Sequence, residues 1–70
     1  MRLALTNLDN GLFLERNGYW TADRSHAQAF PDTAAVETAA VTNKVRNAAA
    51  AVMEGDPPRA MGFIWITKPG

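Results

Sequence analysis

The sequence predicts an α+β domain of element order ββααββ, with two helices packed on one face of a small, mainly antiparallel sheet. Three observations lead there. An Asn10-Gly11 pair separates two leucine-rich runs, Asp23 and Asp32 stand at candidate helix starts on either side of Pro31, and residues 62–67 form a dense β-branched and aromatic run. The 70 residues form a single domain, without an internal repeat, a low-complexity linker or a second unit.

The N-terminal third reads as a hairpin whose register follows from its turn. Asn10-Gly11 suits a two-residue turn with positive φ at both positions. That turn sets Asp9 opposite Leu12, Asn7 opposite Leu14 and Leu5 opposite Arg16, and it gathers Leu3, Leu5, Leu12 and Leu14 on one face. The opposite face holds Ala4, Thr6, Leu8, Phe13 and Glu15, with Leu8 and Phe13 paired near the tip. Asn17-Gly18 ends the second strand, and Tyr19-Trp20-Thr21 leads to Asp23, the cap of a short helix over residues 24–29. Ala27 and Phe30, three apart, would share a side of it. Pro31 stops this helix and Asp32 caps the next, which begins at Thr33 and carries small residues, Ala35, Ala39 and Ala40, for close approach to the sheet.

The stretch from Val41 to Glu54 admits two readings. Val41, Val45, Ala48 and Val52 step as one helical stripe would, and alanine favours a helix. Such a helix would be about 35 Å long, which is long for this chain, and Val36 lies off the stripe. Asn43 and Asn47 are natural stops, so the preferred reading ends the helix near Asn43 and opens a strand near Ala48–Glu54. Residues 55–58, Gly-Asp-Pro-Pro, form a loop, and residues 62–67 the last strand.

Composition narrows the partners. Seven Lys/Arg balance seven Asp/Glu, and the balance holds along the chain, so no basic stripe exists to neutralise phosphates. That argues against nucleic acid. No apolar run approaches 18 residues, which excludes a membrane-spanning helix. No secretory pattern is visible and there is no Cys, so a cytoplasmic location is expected. A domain this small removes only about 60% of its unfolded surface on folding and usually needs reinforcement. Disulfides are excluded, and one histidine with scattered carboxylates does not make a structural zinc site. Core packing and self-association remain.

Candidates for chemistry are few. His26 is the one histidine, the residue type whose unperturbed imidazole changes charge near neutrality, and apart from adjacent Ser25 nothing in the sequence supplies a nucleophile or an orienting partner. Asp9, Asp23, Asp32 and Asp56 all fall at turns or helix starts, where carboxylates serve backbone N–H groups. The five glycines are dispersed, and none forms a phosphate loop. No catalytic, cofactor-binding or metal-binding residue is therefore assigned, and an enzyme is not expected.

The aromatics carry the functional expectation. Trp20 is placed as a core plug between hairpin and helix. In residues 63–67, Phe63, Trp65 and Thr67 face one way while Ile64 and Ile66 face the other, so both faces are apolar. With helices on one face only, one set lies on the open face beside Leu8 and Phe13. Leu8, Phe13, Phe63 and Trp65 are thus the candidate interaction face, unless a loop over residues 57–61 covers it. The expected function is a small non-catalytic protein-interaction module, contacting an unidentified protein or its own copy. The alternative is a weak single-stranded nucleic-acid or nucleotide binder that stacks bases on sheet aromatics.

The run Phe13-Leu14, Gly18-Tyr19-Trp20-Thr21, Asp23, Ala27, Phe30, Asp32 and Ala35 or Ala39 resembles a pattern found in short uncharacterised bacterial proteins, in which a hairpin leads into small helices packed on a sheet. The likeness covers residues 12–40. It implies a helix broken before a strand after Asn47, and no activity or site residue.

Overall fold

A computed structural model describes residues 2–56 and 58–66. Among them the chain forms β1 (Arg2–Asn7), β2 (Leu12–Leu14), β3 (Trp20–Thr21), a three-residue 3₁₀ turn (Arg24–His26), α1 (Thr33–Thr42), β4 (Ala48–Glu54) and β5 (Arg59–Trp65). The strands make one antiparallel sheet in the order β3-β2-β1-β4-β5. The expected ββααββ order is therefore corrected: the sheet has five strands, and a single helix packs on it.

The missing first helix has a physical cause in the sheet. Asp23 does cap the 3₁₀ turn by accepting the Ser25 N–H, but Ala27 is already extended at φ −66°, ψ 139°. Beyond it the backbone donors go to strands instead of a helix. Gln28 N–H donates to the Leu14 carbonyl, and Leu3 and Phe30 exchange backbone hydrogen bonds in both directions. β1 and β2 pair only at Thr6 with Phe13 and at Asn7 with Leu12, so the segment from Ala27 to Phe30 fills the gap where they diverge. In extended backbone an odd spacing separates faces. Ala27 and Phe30 accordingly pack into different clusters.

The hairpin register is also corrected. Asn7, rather than Asp9, is opposite Leu12, so the connection has four residues. Two side-chain amides build it: Asn7 Oδ1 accepts the Asp9 N–H and Asn10 Oδ1 accepts the Leu12 N–H. Leu8 N–H donates to the Asn47 carbonyl, which holds Leu8 to the β4 side rather than opposite Phe13. A shift of two residues leaves every side chain on its expected face. Leu3, Leu5 and Leu14 therefore still lie together, under Val36 and Ala40 of α1 and beside Phe30, Ala48 and Ala50. Trp20 packs against this cluster, as expected for a core plug. The other face gathers Ala4, Phe13, Ala51 and Met53, with Ala27 and Ala60 against them.

Both ends of α1 are built from local hydrogen bonds. Asp32 accepts the Ala35 N–H at 2.8 Å. At the other end Lys44 N–H donates to the Val41 carbonyl and Val45 N–H to the Ala40 carbonyl, the paired bonds of a Schellman stop. The stop places Lys44 at φ +56°, a left-handed conformation that glycine adopts without strain. It ends the helix near Asn43 and leaves Ala48–Glu54 as a strand, which decides between the two readings of this stretch. Alanine is a poor strand former, but here residues 48–51 are 0–1% exposed between β1 and β5, where burial outweighs intrinsic preference.

Three stability outcomes follow. Lys44→Gly should stabilise the domain by about 0.5–1 kcal/mol, since left-handed strain exceeds the added chain entropy. Asp32→Ala should cost about 1 kcal/mol through the lost cap. Ala50→Leu, with no space beneath α1, should cost about 1–3 kcal/mol. Thermal unfolding reads all three, at roughly 4–8 °C per kcal/mol for a domain of this size.

Candidate interaction surface

β5 is an outer strand of the sheet, and its ladder to β4 decides which of its groups face outward. Ile66 N–H donates to the Ala48 carbonyl. Alternation along an antiparallel pair then turns the backbone groups of Ile64 and Ile66 toward β4, and those of Phe63 and Trp65 away from it. Among the described residues no segment pairs with that outer side.

Side chains alternate as well. Trp65 is opposite Ala49 and Phe63 is opposite Ala51, so both rings stand on the face away from α1, while Ile64 lies opposite Ala50 on the helix face. The pairing of large with small leaves the alanines covered and the rings exposed. Met61 is 65% exposed, Phe63 56%, Ile64 43% and Trp65 60%. A register shift after Val52 sets Met53 opposite Ala60, so one extra residue bulges here. Ala60, opposite Met53, packs on the same face as Phe63, and Met61 is the extra residue between it and Gly62.

The four residues named from sequence are thus divided. Phe63 and Trp65 are neighbours on one exposed face. Phe13 lies on the same face but is buried with Met53, and one row runs from it through Thr6 and Ala49 to Trp65. Leu8 sits at the hairpin turn, at the margin of exposure. Sequence reading missed Met61 and Ile64 as exposed apolar residues. The strand starts at Arg59 rather than Gly62, and a loop from Pro58 to Met61 does not cover the face; Pro57 and Thr67 lie outside the described residues.

A second cluster surrounds His26, which lines a broad open depression with Glu15, Arg16, Asn17 and Ser25. His26 Nδ1 is 3.6 Å from Glu15 Oε1, and Nε2 is 3.8 Å from Asp23 Oδ2. The orienting partner that the sequence does not display is Glu15, which arrives across the β2 end through its bridge to Ala27. The arrangement is nevertheless poor for nucleophilic chemistry. The Ser25 hydroxyl donates to Asp23 Oδ1 at 2.6 Å rather than to the imidazole, and both imidazole nitrogens already face carboxylates. Those carboxylates sit at opposite nitrogens of the ring, so the three groups do not converge on one point.

The Ser25 hydroxyl, followed by the Ser25 N–H, holds the Asp23 carboxyl below its ordinary value of 3.8; His26 acts in the same direction and slight desolvation opposes them. A depressed carboxylate adds stability that is complete above the unfolded value and lost as pH falls through the folded one. The Asp23 carboxyl carbon should therefore titrate below pH 3.8 by NMR, and Ser25→Ala should return its midpoint toward 3.8. A wild-type midpoint at or above that value contradicts the assignment.

No family model, curated protein or solved structure matches this chain.

Proposed function

We propose that the chain is a small, non-catalytic protein-interaction module that engages an extended polypeptide segment along β5. The observation that supports this reading is the succession of exposed apolar side chains at Met61, Phe63, Ile64 and Trp65 on an outer strand. Scattered exposed apolar residues are ordinary on soluble domains, whereas a contiguous set along one strand marks a contact surface. Outward backbone groups would give such a segment its hydrogen bonds, and the rings on one face its side-chain preference. Absence of cysteine from these 70 residues agrees with a reducing, cytoplasmic setting.

Exposed Phe63 and Trp65 on one sheet face also support a second reading, in which single-stranded nucleic acid stacks on them. Net charge zero and a single cation on β5, Arg59, weigh against it, because phosphate neutralisation supplies most of such affinity.

A selection and a titration separate the readings. A displayed library of random peptides selected on the immobilised domain should enrich alternating apolar sequences, and Trp65→Lys should lose at least tenfold in binding to them, a difference of about 1.4 kcal/mol. No enrichment above background, or enrichment unaffected by Trp65→Lys, rejects the module. Shifts of the Phe63 and Trp65 resonances with a single-stranded oligonucleotide at low salt would favour the stacking reading instead.

A further inference from the structure

Taking the proposed contact strand as its basis, we infer that the segment β5 binds is β5 of a second copy, paired antiparallel about a twofold axis at Phe63. Four features of the strand favour this occupant.

First, β5 is apolar on both faces, with Phe63 and Trp65 on one side and Ile64 on the other. That is the pattern of an interior strand rather than an outer one, and a second β5 would make it interior. Second, the strand is complementary to itself. Outward backbone groups pair with outward groups, so odd-numbered residues face odd-numbered ones in the new ladder. Centring on Phe63 sets Phe63 opposite its own copy, Met61 opposite Trp65 and Gly62 opposite Ile64. An aromatic pair and a large side chain over a small one are favourable neighbours. No atom lies within 4 Å of where a Gly62 Cβ would stand, so there is room on that side for the Ile64 of the copy.

Third, charge does not oppose the pairing. Net charge is zero, and Arg59 is the one charged residue of β5. In this register the two Arg59 residues stand about 26 Å apart at 3.3 Å per residue, beyond the screening length. Fourth, the area fits a weak, reversible pairing. From the exposed fractions, and with whole aromatic side chains of ~150–250 Å², the four apolar residues present roughly 450 Å² per copy. Two copies present roughly 900 Å² in all, of which edge-to-edge pairing covers a part, so the contact belongs to the weak, transient class. A preformed strand also avoids the ordering entropy that a flexible peptide would lose.

Sedimentation equilibrium of the full chain from about 5 to about 500 μM should show the mass rising from monomer to dimer, with no larger species. Phe63→Lys sets two like charges face to face at the twofold and should weaken dimerisation at least tenfold, with circular dichroism unchanged. Since the chain has no cysteine of its own, Phe63→Cys gives a register-specific readout. Directly opposed residues have Cα atoms about 5.5 Å apart, within disulfide reach, so Phe63→Cys should cross-link under mild oxidation much faster than Glu54→Cys.

A monomer at the highest concentration, together with no preferential cross-link, overturns the second copy as occupant. The interaction reading itself then stands or falls on the peptide selection, which uses foreign strands. A dimer that survives both Phe63→Lys and Trp65→Lys overturns the pairing, because association would lie elsewhere.

Discussion

Residues 48–51 are four consecutive alanines in an inner strand, and the rest of the architecture is arranged around how little room they take. β1 flanks them on one side and β5 on the other, α1 covers one of their faces, and almost none of their surface reaches water. Small side chains here let α1, itself lined with Ala35, Ala39 and Ala40, approach the sheet closely. The consequence is a core with little bulk at its centre. Leu5 and Val36 are its largest fully enclosed side chains, and the rest of the volume comes from the periphery, from Phe30 and Trp20 on the helix face and from Phe13 and Met53 on the other. A chain of this length cannot bury much surface in any case. Its larger residues therefore stand beside the alanines, half covering them and half exposed, and β5 shows this most.

The same strand explains which features could be read from sequence. Its limits at Ala48 and Glu54 follow from Asn47 before it and Gly55 after it, and from Val36 failing to share a stripe with Val41 and Val45. Alanine's helix preference points the other way and is overruled by burial on both faces. The helix start at Asp32 was legible because a cap is a local bond between neighbours in the chain. Its stop was legible only as a position near Asn43, because the left-handed residue there is Lys44 rather than a glycine. The first helix was misread for the opposite reason. Residues 27–30 have an acceptable helical composition, and what makes them extended is the diverging gap between β1 and β2, which belongs to the assembled sheet.

The candidate interaction surface divides along the same line between local and assembled information. Two-sided apolarity at Phe63, Ile64 and Trp65 is local and could be read directly. Burial of Phe13 depends on Met53 and Ala51, about forty residues away in the chain, and the Met61 bulge depends on the step between Val52 and Met53 in the partner strand. Neither leaves a mark in its own neighbourhood. His26 behaves similarly: Asp23, three residues back, was visible as a cap, whereas Glu15 reaches it only because the chain doubles back at Ala27.

A long apolar outer strand normally invites open-ended growth, and the opposite edge of this sheet shows why growth would stop here. β3 has only two residues, Trp20 and Thr21, which is too short a run of backbone to template another chain. Fibres require a contact that can be repeated, either heterologous or at both edges. In this sheet one edge is long enough to pair and the other is not, so pairing of β5 on β5 would consume the single usable edge in each copy. Arg59 at the start of β5 and the bulge beside it further limit the register in which two strands can align, since sliding by two residues would set Ile64 against its own copy rather than over Gly62. The alanines that push bulk outward and the short far edge therefore act together: one leaves a long apolar edge strand, and the other would close any assembly built on it at two.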